Sequence, residues 1–274
     1  MSISDAHLEG LINAVRSAGQ NIIVPGFRNL SPDQVATKTD QYDFVTTADK
    51  EAELTITKAA RGIWPDALIV GEEAVADTPE ILDHLDSSDV SIIIDPIDGT
   101  GNFVCGLPVF GTIVAVCRQG VPVFGLLYDP LADTWIYAVQ GAGVRFVDPS
   151  GAERALPKPP LRAKEDSRGY VPIHLFLPQD RDALASKITK FARATTLSCS
   201  CHEYRQIALA GADFCLSPSP KPWDHAAGAL IATEGGGVAV SETGAPYRPG
   251  VPSSQLLVLA NRDSPIGFAD FNTI

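Results

Sequence analysis

One segment constrains this chain more than any other: Ile92-Ile93-Ile94-Asp95-Pro96-Ile97-Asp98-Gly99-Thr100. Consecutive β-branched apolar residues read as a buried strand, and the strand ends on two aspartates three residues apart. Carboxylates delivered to the C-terminal edge of a hydrophobic strand are a compact way to hold a divalent cation. Pro96 restricts the backbone between them, and Gly99-Thr100 can start a helix whose free N–H groups face an anion. The same residues also suit an ordinary turn, in which Asp and Gly are common. Both readings stay open on this segment alone.

Around it the chain divides by pattern. Leu8, Leu11, Ile12 and Val15 recur at helical spacing, so the N-terminus opens with an amphipathic helix capped by Ser4 or Asp5. An extended piece over Tyr42 to Thr46 leads to a second helix from about Ala48 to Arg61, ending at Gly62. Ala67 to Val70 and Ser91 to Asp95 read as short strands, with a short helix around Ile81 to Leu85 between them. Gly111 to Cys117, Val121 to Tyr128 and Thr134 to Val139 form an antiparallel meander joined by Gln119-Gly120 and Asp129-Pro130. Beyond Pro157, Pro159 and Pro160 the pattern alternates: strand near Val171 to Leu177, helix near Asp182 to Arg193, strand near Thr195 to Ser198, helix near Cys201 to Ala210, strand near Phe214 to Ser217, helix from Asp224 to Glu234. The expectation is an α+β domain over 1–156 and an α/β domain over 157–274, with the proline cluster as boundary.

Charge and cysteine usage narrow the function. Thirty-three acidic against 21 basic residues give a net charge of −12, which repels phosphate backbones and anionic membrane surfaces, so neither a nucleic-acid polymer nor a membrane is expected as partner. Residues 99–117 carry no charge, but their glycines, Asn102 and Pro108 indicate a loop followed by a buried strand rather than a membrane span. The five cysteines, an odd set, read as reduced thiols of a cytoplasmic protein, and no secretory signal is expected because Asp5, Glu9 and Arg16 interrupt the N-terminus.

Further carboxylates lie at element ends. Asp224, in Trp223-Asp224-His225-Ala226-Ala227-Gly228, would by itself be a helix N-cap, and the small residues after it let the helix pack closely. Gly71-Glu72-Glu73 places two glutamates after another strand, where a solvated loop is the plain alternative. Taken together, Asp95-Pro96-Ile97-Asp98-Gly99-Thr100, Asn102-Phe103, Gly106-Leu107-Pro108, Trp223 to Gly228 and Glu234-Gly235-Gly236 resemble the two signature motifs of the inositol monophosphatase family. Gly71-Glu72-Glu73 and Asp43-Phe44-Val45-Thr46-Thr47-Ala48-Asp49 resemble its remaining active-site segments in the right order, so the resemblance covers almost the whole chain.

That resemblance implies a layered αβαβα sandwich of the sugar phosphatase type and a lithium-sensitive, magnesium-dependent phosphatase, commonly a homodimer. It implies two or three Mg2+ ions held by Glu72, Asp95, Asp98, Asp224 and the backbone carbonyl of Ile97. Gly99 and Thr100 would bind phosphate, and Asp49 and Thr100, with Glu72, would serve the attacking water; Lys38 would sit near the same site. Independently of the family, a phosphate monoester dianion repels a hydroxide nucleophile, so cations must neutralise it, acidify a water and stabilise the leaving alkoxide. Hard oxygen ligands select magnesium, and two or three such ions against four carboxylates make the loaded site neutral to positive in a protein of net charge −12. His7, His84, His174 and His202 match no catalytic motif.

Substrate choice is where the sequence departs from inositol-specific members. They carry a small Gly-Ser or Gly-Thr and Ala sequence where this chain has Ser198-Cys199-Ser200-Cys201, and a ring-binding glutamate where Ser217 aligns. Ser200 and Ser217 are therefore substrate-side candidates, and Lys221 could suit a second anionic group. The expected activity is hydrolysis of a small phosphorylated metabolite such as an inositol or sugar phosphate by direct attack of a metal-activated water. A histidinol-phosphate or 3′-phosphoadenosine nucleotide phosphatase, or a non-catalytic regulatory binding protein on the same fold, are the alternatives.

Overall fold

A computed structural model describes residues 4–271. The Ser4 hydroxyl, rather than Asp5, caps α1 (Asp5–Ala18) by accepting the His7 amide at 3.3 Å. Leu8, Leu11 and Val15 are buried along one stripe of α1, as their spacing requires. The helix widens into a π turn over Gly19–Ile23 and ends in α2 (Val24–Gly26). β1 (Val35–Thr37) pairs antiparallel with β2 (Phe44–Thr46), which feeds α3 (Thr47–Ile63). Gly62 does not stop α3; the helix runs one residue further.

β3 (Leu68–Gly71) leads through α4 (Glu72–Asp77) and a 3-10 helix at Pro79–His84 to β4 (Val90–Asp98), which lies parallel to β3. After α5 (Thr100–Val104) come β5 (Gly111–Arg118), β6 (Val121–Asp129) and β7 (Thr134–Val139), the expected meander. It continues into two strands the sequence reading left out, β8 (Val144–Val147) and β9 (Glu153–Ala155), completing a seven-stranded sheet in the order β3-β4-β5-β6-β7-β8-β9.

The second half holds β10 (Arg168–Tyr170), α6 (Arg181–Ile188), β11 (Arg193–Thr195), α7 (Ser200–Ala208), β12 (Phe214–Ser217), α8 (Pro222–Glu234), β13 (Val238–Ser241) and β14 (Leu256–Leu259). Its five strands run in the order β11-β10-β12-β14-β13. The apolar run Val171 to Leu177 is not the expected strand. Pro172 has no amide to give a ladder, Ile173–Leu175 form a 3-10 turn, and Leu175 and Leu177 are 60% and 62% exposed, so the strand sits just ahead of the run. α6 likewise stops at Ile188, short of Arg193, and the strand read at Thr195 to Ser198 lies at Arg193–Thr195.

Alternation along the strands builds the layers. Ile92 and Ile94 of β4, with Val114 and Val116 of β5, face α1 and α3. Ile93, Ala115 and Cys117 face the other way, onto α7 and α8. On the far side of those two helices, Cys215, Leu256 and Val258 of the second sheet close the same core, while Phe214, Leu216, Leu257 and Leu259 point outward to Leu184 of α6, Phe191 and Phe271. The order helix, sheet, helix, sheet, helix is the expected αβαβα sandwich. The two sheets separate between Ala155 and Arg168, around the proline cluster, yet the central helical layer is shared between them.

The small face of α8 makes that layer possible. A Cβ on Gly228 would come within 2.2 Å of the Tyr204 ring, so only glycine lets α7 and α8 approach this closely. Residues 99–117 divide into a turn, α5, a loop and β5, and among the described residues no helix is long and apolar enough to cross a membrane. All five cysteines are free, and four of them are buried.

Candidate active site

The ladder between β4 and β5 breaks between the Asp95–Ile113 and Asp98–Gly111 pairs. Pro96 cannot donate at the break, and its carbonyl instead accepts the Thr112 hydroxyl at 2.9 Å. This irregularity places two carboxylates of one strand on the same side. Asp224 joins them from the first turn of α8; Lys221 is the N-cap and Pro222 opens the helix, so Asp224 is not the cap its position suggested. One oxygen from each of Asp95, Asp98 and Asp224 falls within 4.8 Å of the others.

Three carboxylates this close cannot all ionise cheaply without a cation. Burial, and then the charges of Glu72, Asp98 and Asp224, hold the Asp95 carboxyl well above the usual range. Burial and the charges of Asp98 and Glu72 push Asp224 up to about 8, with Lys221 opposing. Burial also raises Asp98, against the hydrogen bonds it receives from Cys199 and the Cys201 amide. Asp95 Oδ1 is fully buried and has no hydrogen-bond partner. A buried oxygen without a donor is costly, and a hard divalent cation satisfies it, so the donor set fits magnesium.

The remaining expected groups surround this trio. Asp49 is the third residue of α3 and completes a capping box: its Oδ2 accepts the Thr46 amide at 2.8 Å and the Thr46 hydroxyl at 2.5 Å. Its Oδ1 lies 3.3 Å from the Thr100 hydroxyl, whose nearer acceptor is the Ile97 carbonyl at 2.8 Å. Burial pushes Asp49 up to about 7, against the Thr46 hydrogen bonds. Asp49, Thr100 and the Ile97 carbonyl are thus linked.

Glu72 stands in the first turn of α4, outside the group of oxygens formed by the three aspartates. Lys38 bridges it to Glu73, with Nζ 2.8 Å from an oxygen of each. The charge of Glu72 nevertheless raises Asp95, Asp224 and Asp49, which places Glu72 in the same electrostatic neighbourhood. Glu53 was missed in the sequence: its carboxylate accepts the Glu73 and Ala74 amides at 2.8 and 3.0 Å and so caps α4, and burial lifts it to about 7. A signal was present, since Glu53 follows Asp49 by four residues and shares its buried helix face.

Gly99 adopts φ +83°, and a Cβ there would lie 3.0 Å from the Val109 carbonyl and 3.1 Å from Cys199 Cβ, so both conformation and space demand glycine. Ser200 is the first residue of α7 and half-buried. Ser217 closes β12 opposite Leu256 and is buried, and Lys221 lies over the Trp223 ring at 5.4 Å. Cys199, also missed, is buried with its sulfur 3.0 Å from Asp98 Oδ2; burial raises its thiol well above the ordinary value, so it stays an S–H donor. His225 is a neutral packing group, bonded to the Tyr204 hydroxyl at 2.9 Å and pushed by burial down to about 3.

An αβαβα sandwich in which two buried aspartates at a broken strand end meet a half-buried aspartate from a helix defines a class of acidic, cation-suited sites in α/β proteins. The model of the inositol monophosphatase family matches residues 6–266, and the chain belongs to that family. Among curated proteins it is 32% identical to Nus factor SuhB of Pasteurella multocida over 83% of this chain and 82% of the relative. It is 30% identical to Nus factor SuhB of Haemophilus influenzae over 95% of this chain and 97% of the relative. Among solved structures, the Thermotoga maritima IMPase superposes with a TM-score of 0.76 at 25% identity, covering 94% of this chain and 93% of that one.

Proposed function

We propose that the protein is a magnesium-dependent phosphatase of small phosphate monoesters. The observation that carries this reading is the convergence of Asp95, Asp98 and Asp224, together with a buried oxygen of Asp95 that has no donor. Asp95, Asp98 and Asp224 would hold the metal, with Glu72 and the Ile97 carbonyl as further ligands once Lys38 and Thr100 yield them. Two or three magnesium ions held by these residues would supply charge to neutralise the phosphate, acidify a water and stabilise the leaving alkoxide. The amides of Gly99 and Thr100 take phosphate oxygens.

Thr100 and Asp49 orient the nucleophile. With the Ile97 carbonyl engaged elsewhere, Asp49 becomes the remaining acceptor for the Thr100 hydroxyl, which then turns a lone pair towards the attacking water. A carboxylate lifted to about 7 by burial is matched to receive a proton near neutral pH. The reaction is a direct in-line displacement without a phosphoenzyme. Ser200 and Ser217 line the alcohol side, where the absence of a carboxylate weakens preference for the inositol ring, and the reducing cytoplasm suits five unpaired thiols.

A second reading is favoured by the name Nus factor carried by the relatives: a regulatory protein that acts through partner contacts on the same fold. Phosphate release from a panel of inositol, sugar, histidinol and 3′-phosphoadenosine phosphates, with magnesium and with EDTA, separates the two. Magnesium-dependent turnover of at least one ester is expected. No turnover of any ester by protein that binds magnesium would favour the regulatory reading.

A further inference from the structure

The turn before α7 is built directly onto Asp98. Asp98 Oδ2 accepts the Cys201 amide at 2.5 Å and lies 3.0 Å from Cys199 Sγ, so one oxygen of this carboxylate is engaged twice. The turn is fastened in two further ways. Asn102 Nδ2 donates to the Val109 and Leu197 carbonyls, each at 2.8 Å, tying the turn to the loop after α5. The Glu203 carboxylate accepts the Thr196 hydroxyl at 2.9 Å and the Leu197 amide at 2.7 Å, tying it to α7. Cys199 is 2% exposed, so water does not replace its donor.

We propose that Cys199 is a positioning residue for metal binding: its thiol, together with the Cys201 amide, fixes one oxygen of Asp98 and leaves the other for a cation shared with Asp95 and Asp224. A carboxylate held this way loses less freedom on binding metal than one free to rotate, which is the general role of donors behind a ligand. The inference rests on the metal site of the proposed function. It assigns a task to a buried thiol outside the ligand set.

Magnesium titration by calorimetry on wild type, Cys199→Ala and Cys199→Ser tests it, with thermal unfolding in EDTA as the control for folding. Loss of the donor in Cys199→Ala is expected to weaken magnesium binding by ~10-fold or more, the scale for groups behind a metal ligand. Cys199→Ser, which keeps a donor, is expected to retain most of the affinity, and KM for the ester at saturating magnesium is expected to stay unchanged in both. If the alanine variant does not fold, Cys199→Val takes its place, filling the volume without a donor. Equal affinity of wild type and the donorless variant, or a serine variant as weak as that variant, overturns the proposal while leaving the metal site standing. No magnesium binding by wild type removes the metal site itself, and the proposal with it.

Discussion

Replacing Asp224 with asparagine is expected to stabilise the metal-free protein at alkaline pH. Asp224 is held at about 8 rather than 3.8, by burial and by the charges of Asp98 and Glu72. Below about pH 4 the carboxyl is protonated in folded and unfolded chains alike and costs nothing. Between about pH 4 and 8 the unfolded chain releases a proton that the folded chain retains, so stability falls as pH rises and levels off above about 8. At pH 8 the full displacement corresponds to roughly 5–6 kcal/mol, and dividing it with Asp95 and Asp98, which share the crowding, leaves about 2 kcal/mol for one substitution. For a chain of this size that is a rise in Tm of ~4–8 °C, shrinking to about 1–2 °C at pH 5. Scanning calorimetry of wild type and Asp224→Asn in EDTA at both pH values reads the difference. Saturating magnesium is expected to reverse the order, because wild type gains a ligand-bound state and the variant does not. No Tm gain at pH 8 in EDTA, or the same gain at pH 5, refutes the charge crowding on which the site rests.

Thr100→Ala is expected to lower kcat by ~10²-fold with little change in KM, since the hydroxyl orients the nucleophile rather than binding the ester; a change confined to KM in steady-state kinetics would place Thr100 on the substrate side instead. Ser217→Glu is expected to shift kcat/KM towards myo-inositol 1-phosphate by ~10-fold relative to the best ester of the panel, the size of one charge-assisted hydrogen bond. A wild type that already prefers inositol phosphate over every other ester removes the argument from Ser217.

The sequence revealed the carboxylate strand because two independent signals coincide there: a β-branched run that must be buried, and aspartates at its end where no core would accept them. The change of pattern at Pro157 to Pro160 marked an α+β half and an α/β half, while the αβαβα order itself came only with the resemblance to the inositol monophosphatase family. What stayed hidden has physical causes. Val171 to Leu177 is apolar but carries Pro172, and over so short a run periodicity does not separate a strand from a 3-10 turn with exposed leucines. β9 is fully exposed and reads Glu153-Arg154-Ala155, with no apolar face to announce it. β13 and β14, which follow the last helix read in the sequence, stayed hidden as well. The contacts around the site are long-range: Lys38 with Glu72, Asn102 with the Leu197 carbonyl, and Cys199 with Asp98, 101 residues apart, are created by the layering and leave no local trace.

The most direct test is phosphate release by wild type and Asp95→Asn, side by side, across a magnesium titration on one good ester. Wild-type activity is expected to rise from nothing in EDTA to saturation, while Asp95→Asn stays folded and inactive at every magnesium concentration. Turnover by wild type in EDTA, or full turnover by Asp95→Asn in saturating magnesium, would contradict the assignment of these carboxylates as the metal site of a phosphatase.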